Sequence, residues 1–438
     1  MKYYLKTFGC QMNVHDSEKI AGIFSEVGHE KSVDTGDADV IVLNTCSIRE
    51  KAEHKFYSDL GRLKKAKTDN PNLKIAVAGC IAQQEGEKLF KRFPYIDFVF
   101  GPNNIDSLQK LINGELLSTL KHQQSTFIDV NPDYPSMIFP MKRAGGVKAW
   151  VSIMYGCDNF CAYCVVPYTR GRERSRPSAD IYREAEKLAA DGFKEINLLG
   201  QNVNSYGRKL DEEIDFPELL SKLHEIDGIE RIRFVTSHPK DFSEKLIKAM
   251  KDLPKVCNHM HLPIQAGSDK VLSLMNRKYT YNEYKEKIDL LKSNVPDIAI
   301  TTDIIVGFPG ETDEDFRLTM KALSEIEYDG AFAFKYSRRP GTKALELPDH
   351  VDEDIKSERL ASVQKLQETI SYKKNKELEG KTLEILVEGS SDTNEEKLTG
   401  RTTTNKIVNY HGERSDIGKL INVKILDAKM HSLYGEKI

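Results

Sequence analysis

Residues 155–164, Tyr-Gly-Cys-Asp-Asn-Phe-Cys-Ala-Tyr-Cys, place Cys157, Cys161 and Cys164 at the spacing C-x3-C-x2-C, and no other stretch constrains the chain as much. Three thiolates on so short a loop can wrap one inorganic core, and thiolate is the usual ligand of iron–sulfur clusters. Three ligands for four irons leave one iron open to a reactant, as catalytic metal sites require and closed structural sites do not. A zinc site short of one ligand, or plain buried cysteines, are the alternative readings. A closed zinc site needs a nearby second C-x2-C or H-x3–5-H, and none follows before Thr236. Gly156 lets the backbone come close to a ligand, and the aromatic Tyr163 stands directly before the last cysteine.

The chain has 438 residues, enough for two to four domains that each bury a core. The N-terminus runs straight into strand-like sequence, so no secretory leader is expected, and no apolar run approaches the length of a membrane span. Seven cysteines, six of them in two spaced sets, argue against a disulfide framework and for the cytoplasm. The net charge of −3 means that contact with nucleic acid has to come from local patches.

The expected architecture is α/β and multidomain. Over residues 1–112 a short apolar strand, a cysteine and a helix recur. Tyr3 to Phe8 leads to Cys10 and a helix from about Asp16 to Val27. Asp39 to Leu43 leads to Cys46 and a charged helix from about Ile48 to Lys67. Lys74 to Ala78 leads to Cys80 and a helix to about Phe93. A strand from Asp97 to Phe100 and a helix from about Ile105 to Ile112 complete the unit. Such alternation gives a parallel sheet whose ligands gather at the carboxyl ends of the strands. Each cysteine stands at such an end, so Cys10, Cys46 and Cys80 are expected to converge and hold a second cluster, again with three ligands. Small cysteines packed at strand ends are the plainer alternative.

Residues 113–146, with Pro132, Pro135, Pro140 and Gly145-Gly146, read as a linker in which Lys142 and Arg143 make a solvated basic spot. From 147 to 375, strands at Val147 to Met154, Glu195 to Leu199, Arg231 to Thr236, Asn258 to Leu262, Ile298 to Ile305 and Gly330 to Tyr336 alternate with helices. Six units are too few for a full eight-strand barrel, so an open, partial (β/α)6 TIM-like barrel is predicted. Its strand ends carry the candidate cofactor-binding residues: Gly200, Gln201 and Asn202, then Ser237, Gln265, Ile305 and Gly307, together with Tyr163. The amides suit the amino group of a bound amino acid, and the glycines permit close backbone approach to a nucleoside. His238 and His261 read as hydrogen-bonded structural histidines, and Cys257 as core.

Arg170, Arg172, Arg174 and Arg176 fall at every second position, where an extended segment would show them on one face to phosphate. A salt-bridged, solvated loop is the equal alternative. Arg338 and Arg339 extend the same basic zone. Residues 376–438, with alternating runs at Thr382 to Val387, Leu398 to Tyr410 and Leu420 to Leu426, predict a small antiparallel β-barrel.

The loop at 155–164 resembles the cluster loop of the radical S-adenosylmethionine enzymes, and the whole chain in order resembles the methylthiotransferases of that superfamily. Phe8-Gly9-Cys10-Gln11-Met12-Asn13, Asn44-Thr45-Cys46-Ser47-Ile48-Arg49 and the run from Val165 to Glu173 look most like the members acting on N6-isopentenyl (dimethylallyl) adenosine in tRNA. The resemblance implies two 4Fe–4S clusters. Cys157, Cys161 and Cys164 would hold the one that binds and cleaves S-adenosylmethionine. Cys10, Cys46 and Cys80 would hold an auxiliary one that supplies sulfur. It implies methylthiolation at C2 of the adenosine beside the anticodon, with a second S-adenosylmethionine as methyl donor and a low-potential electron donor such as flavodoxin or ferredoxin. It also implies an RNA-binding TRAM barrel at the C-terminus and a monomeric protein. Competing expectations are the same chemistry on threonylcarbamoyladenosine or a ribosomal-protein aspartate, and a non-catalytic iron–sulfur RNA-binding regulator.

Overall fold

The computed structural model describes residues 1–47, 50–112, 124–129, 139–143, 145–391 and 394–438. They fall into two compact units, one made of 1–144 with 154–158 and 165–177, the other of 145–153 with 159–164 and 178–438.

The first unit is built on a parallel sheet of six strands: β1 (Lys2–Thr7), β2 (Glu30–Lys31), β3 (Val40–Thr45), β4 (Lys74–Gly79), β5 (Phe98–Phe100) and β6 (Ser125–Phe127), in the order β2-β1-β3-β4-β5-β6. Every residue of β3 is buried, as expected of a central parallel strand covered by helices on both faces. On one face Phe56, Leu60 and Leu63 of the helix Glu50–Asp69 pack on Ile41, Leu43, Ile75 and Val77. The helix Gln11–Glu26 contributes the fully buried Ile20, Ile23 and Phe24, the last stacked on Tyr3 with ring centroids 4.2 Å apart.

Four features depart from the sequence reading. The helix after Cys10 begins at Gln11 and not near Asp16, because Asn13, His15, Asp16, Ser17 and Lys19 are polar yet buried and so hide its apolar period. The helix after Cys80 breaks into Cys80–Glu85 and Lys88–Arg92 at Gly86, whose φ of +50° ends the first turn. Ser125–Phe127, inside the segment taken as a linker, is edge strand β6; its polar run carries no strand period, and pairing with β5 alone makes it a strand. Of the expected solvated spot, Lys142 is exposed as read, but Arg143 is half-buried and its guanidinium pairs with the Glu18 carboxylate at 3.3 Å. Pro132, Pro135, Ile48 and Arg49 lie outside the described residues.

In the second unit, Lys148–Ser152, Glu195–Leu199 and Arg231–Phe234 form one parallel three-stranded sheet, and His259–His261, Ala299–Val306 and Gly330–Lys335 another. A bridge between Ile232 and Val256 joins them into six parallel strands in chain order, the partial barrel expected. The sixth strand, Gly330–Lys335, ends the row and is covered on one side by the helix Glu353–Lys376, to which Lys335 Nζ bonds at Glu353 (3.1 Å) and Ser357 (3.3 Å).

The C-terminal strands Thr382–Ser391, Asn394–Arg401, Ile407–Tyr410, Leu420–Ala428 and Leu433–Lys437 close into a barrel around Ile385, Val387, Leu398, Val408, Val423 and Ile425. It is antiparallel except at one seam. Leu420–Ala428 crosses to pair with Thr382–Ser391, so its hairpin partner Leu433–Lys437 arrives beside Ile407–Tyr410 running the same way. Two buried arginines of the third barrel strand tie this module down. Arg231 donates to the backbone carbonyl of Arg401 and to Glu384, while Arg233 pairs with Glu195 at 3.2 Å and donates to the carbonyls of Thr402 (3.1 Å) and Thr403 (3.2 Å).

Candidate active site

Strands β1, β3 and β4 are neighbours whose carboxyl ends are level, Thr7 opposite Asn44 and Thr45 opposite Gly79. Cys10 caps the helix Gln11–Glu26, Cys46 directly follows β3, and Cys80 follows β4 as the first residue of its helix. The register therefore brings together three cysteines that are far apart in sequence. A hydrogen bond with Cys46 pulls the Cys10 thiol down to about 6 against the effect of burial, and the charge of Arg170 helps. Burial pushes the Cys80 thiol up, while Arg170 opposes the shift by its charge and a hydrogen bond. Gly9 sits at φ +102°, and a Cβ there would overlap Cβ and Sγ of Cys46, so only glycine lets the two cysteine-bearing turns touch. Asn13 fastens the turns from below, donating to Phe8 O (2.9 Å) and Thr45 O (2.8 Å).

Arg170 completes this end of the sheet. Its guanidinium donates to Asn13 Oδ1 and Asp16 Oδ2, both at 2.8 Å, and the ion pair is almost wholly buried. Burial opposes its charge, but Asp16 and the thiols of Cys80 and Cys10 more than compensate. A fixed cation beside the thiols of Cys10 and Cys80 favours their thiolate form, the form that binds metal. Among the described residues no three His, Cys, Asp or Glu side chains are grouped as closely as one metal ion would need. A cuboidal cluster spreads its thiolates farther apart than a single ion does.

Within the second unit, Cys161 and Cys164 are half-buried and adjoin through Cys164 N, which donates to Cys161 O at 2.9 Å. Arg277, buried and absent from the sequence reading, donates to Cys161 Sγ at 3.3 Å, to Tyr279 Oη at 2.9 Å and to Pro263 O at 2.8 Å. No motif surrounds Arg277 in the sequence, and only the fold brings it to the cysteine loop. Its neighbour Asn276 donates to Phe160 O at 2.9 Å, and Ala162 N donates to Met275 O at 2.9 Å, so the turn at 275–277 holds the loop along its length. Phe160 takes a left-handed φ of +47°, a strain that such a scaffold sustains. Tyr163 packs edge-on against Phe308 with centroids 6.5 Å apart, and burial keeps it a neutral phenol. In the first unit the buried Cys157 donates its amide to Gly171 O at 3.2 Å. Gly156 does admit a close backbone approach, but to the carbonyls of Gly171 and Arg172.

The strand-end residues of the barrel share one property. Gln201 Oε1, Asn202 Oδ1, Ser237 Oγ, His238 Nε2 and Gln265 Oε1 are buried and have no hydrogen-bond partner among the described residues. An unpaired buried polar atom costs about 1–3 kcal/mol, so several on one face mark a site built for a polar ligand. His238 is fixed as expected, Nδ1 accepting from Lys240 N at 3.1 Å, and burial with nearby Arg277 keeps it neutral; its second nitrogen joins this set. Asn202 is oriented by donating to Asp241 at 2.7 Å, and Ile305 N donates to Gln265 O at 2.9 Å. Gly200 is buried behind Gln201. Gly307 does not serve a nucleoside approach as expected: its amide is taken by Glu311 at 2.8 Å, and a Cβ there would strike the side chain of Lys356. Cys257 is core, its thiol pushed up to about 11 by burial.

The arginine segment does not present one face. Arg170 is buried behind the cysteines, which removes it from any phosphate surface. Gly171 turns the chain at φ +80°, and after it Arg172 is exposed and pairs with Asp158 at 2.5 Å. Arg174 bonds Asn103 at 3.2 Å, and Arg174 and Arg176 are both half-buried. Arg338 is exposed and Arg339 half-buried.

Three family models match the chain: the uncharacterized protein family UPF0004 over residues 2–101, the radical SAM superfamily over 151–323 and the TRAM domain over 376–438. The fold is similar to that of a radical S-adenosylmethionine methyltransferase, TsrM, from Kitasatospora setae, at TM-score 0.59 and 15% identity over 78% of this chain and 77% of that one. The family match over 151–323 makes the barrel one of the radical S-adenosylmethionine class. The tRNA-2-methylthio-N(6)-dimethylallyladenosine synthase of Thermodesulfovibrio yellowstonii is 53% identical over 99% of this chain and 98% of its own length. The protein of the same name from Thermoanaerobacter sp. (strain X514) is 52% identical over 100% and 92%. The chain belongs to the family of tRNA-2-methylthio-N6-dimethylallyladenosine synthases.

Proposed function

We propose that the protein methylthiolates C2 of N6-dimethylallyladenosine beside the anticodon of tRNA, in the cytoplasm, with Cys157, Cys161 and Cys164 holding one 4Fe–4S cluster and Cys10, Cys46 and Cys80 an auxiliary one. The observation that carries this reading is the level end of β1, β3 and β4, where three thiols and a buried arginine meet in a chain that elsewhere bears a radical S-adenosylmethionine barrel. When bound, the first cluster and S-adenosylmethionine supply a carbon radical that can take a hydrogen atom, and the auxiliary cluster supplies sulfur. Such chemistry suits the target, because C2–H of adenine is not acidic and no positioned base would remove it usefully.

The protein's own groups then have distinct tasks. Arg277 orients Cys161 and offsets thiolate charge, and Arg170 does the same for Cys80 and Cys10. Gln201, Asn202, Ser237 and Gln265 would hold the polar part of S-adenosylmethionine with their unpaired atoms, and Tyr163 and Ile305 would be its apolar contacts. Neutral His238, whose Nδ1 is taken by the Lys240 amide, presents Nε2–H as a donor there without adding charge. The closed C-terminal barrel and the exposed Arg172 and Arg338 are the candidates for backbone contact while the target base is drawn out of its stack. The electron donor is expected to be a low-potential flavodoxin or ferredoxin, and the protein a monomer.

The test is anaerobic incubation of cluster-reconstituted protein with dithionite, S-adenosylmethionine and an anticodon stem-loop carrying N6-dimethylallyladenosine, with nucleosides read by mass spectrometry. The 2-methylthio nucleoside and 5′-deoxyadenosine are expected together. Absence of both, in protein with a full iron count, leaves the regulator reading.

A further inference from the structure

The fifth and sixth barrel strands carry an apolar feature that the cysteines and the polar strand ends leave unused. Along Ala299–Val306 the residues Thr302, Ile304 and Val306 are buried, while Thr301, Asp303 and Ile305 on the other side are half-exposed. Along Gly330–Lys335 the face toward helix Glu353–Lys376 is fixed by Lys335, so Phe332 and Phe334 point to the opposite, inner side. There Phe332 is 59% and Phe334 43% exposed, unusual for phenylalanines inside a barrel. Pairing sets Phe334 beside Ile305 and Phe332 beside Asp303. Ile305 is in turn bonded to Gln265, whose side-chain oxygen is one of the unpaired atoms. Phe332 stands edge-on to His261 at 6.3 Å, and His261 is held by Thr301 at 3.1 Å. The row across the strand ends therefore runs from a polar, partner-seeking group through an aliphatic side chain to two bare aromatic rings.

We propose that Phe332 and Phe334 form the subsite for the N6-alkenyl substituent of the substrate adenine. The inference rests on the function proposed above, because the relatives' names specify a dimethylallyl adenosine. A branched five-carbon alkenyl group offers no hydrogen bond and can be recognised only by apolar surface removed from water. Unmodified adenine gains little from such a surface, so the subsite acts on choice of substrate and not on radical formation.

The experiment measures binding of anticodon stem-loop RNA, with and without the N6-dimethylallyl group, to full-length reconstituted protein by fluorescence anisotropy. The readout is the ratio of the two dissociation constants. A single methylene in an apolar pocket discriminates by about 10-fold to 200-fold, so the wild-type ratio for a five-carbon group is expected to be at least about 10-fold. F332S/F334S is expected to bring it close to one, and F332L/F334L, which keeps apolar surface, to retain most of it. Thermal unfolding of both variants checks that the fold is intact. A ratio unchanged in the serine variant overturns the inference, as does a loss that leucine fails to rescue in a folded protein. A concentration-dependent dimer that the serine variant abolishes overturns it too, since the rings would then serve a second copy. If the wild type prefers the unprenylated RNA and yields no methylthio product from the prenylated one, the proposed function itself has failed.

Discussion

The two cysteine triplets solve one problem by opposite means. Cys157, Cys161 and Cys164 lie within eight residues, so covalent connectivity alone keeps them together, and the fold has only to brace the loop with Asn276 and Arg277. Cys10, Cys46 and Cys80 are separated by more than thirty residues each, and the register of three parallel strands does the gathering. Local encoding needs a permissive loop and one buried cation. Topological encoding needs the whole sheet, Gly9 and Gly79 at positive φ (+102° and +88°) and a buried arginine anchored by Asn13 and Asp16. The second design is therefore the more vulnerable to single changes away from its ligands.

The largest expected effect separates the two directly. C161A should abolish formation of 5′-deoxyadenosine, measured by chromatography under reducing anaerobic conditions, whereas C46A should leave abortive cleavage and eliminate the methylthiolated nucleoside. Undiminished product from C46A would erase the distinction. Next comes R170L, which strands the Asp16 carboxylate in the interior; breaking such a buried pair costs about 3–5 kcal/mol. Denaturant unfolding should report that loss, and iron per chain should fall toward the content of one cluster. R170K, which keeps the charge without the two-armed geometry, should sit between. G9A forces a side chain into left-handed backbone against Cys46, a strain of about 1–3 kcal/mol. It is expected to lower iron content while C161-dependent cleavage of S-adenosylmethionine persists. The smallest effect is R277Q, in which a fixed charge near Cys161 is lost. Iron content should be unchanged and the midpoint potential of the first cluster, followed by EPR-monitored titration, should move to more negative values. An unchanged potential would reduce Arg277 to a loop brace.

Much of the fold was legible because its periods are strong. Glu195–Leu199 is a continuous buried strand over the span expected, and the helix Asp313–Ile326, opened by a Thr312–Asp315 capping box, follows the alternation of strand and helix. What failed has identifiable causes. Polar residues buried around Arg170 masked the start of the helix at Gln11, and Ser125–Phe127 has no pattern without a neighbour to pair with. Arg170 was singled out for the wrong partner: alternation suggested a phosphate face, but Gly171 breaks the extended run and turns that arginine inward. Arg277 could not be found at all, since a buried arginine and a surface one look alike in sequence.

The sequence by itself determined which atoms are available: six thiols in two sets, glycines where turns must tighten, and alternating apolar runs that commit each segment to strand or helix. The tertiary structure alone decided which charges face those thiols, which strand-end oxygens are left without partners, and which side of the last barrel strand shows its phenylalanines. The physical reason is range. Spacing and period act over a few residues along the chain, whereas burial and electrostatic neighbours are set by segments that meet only when the sheet and the barrel have formed.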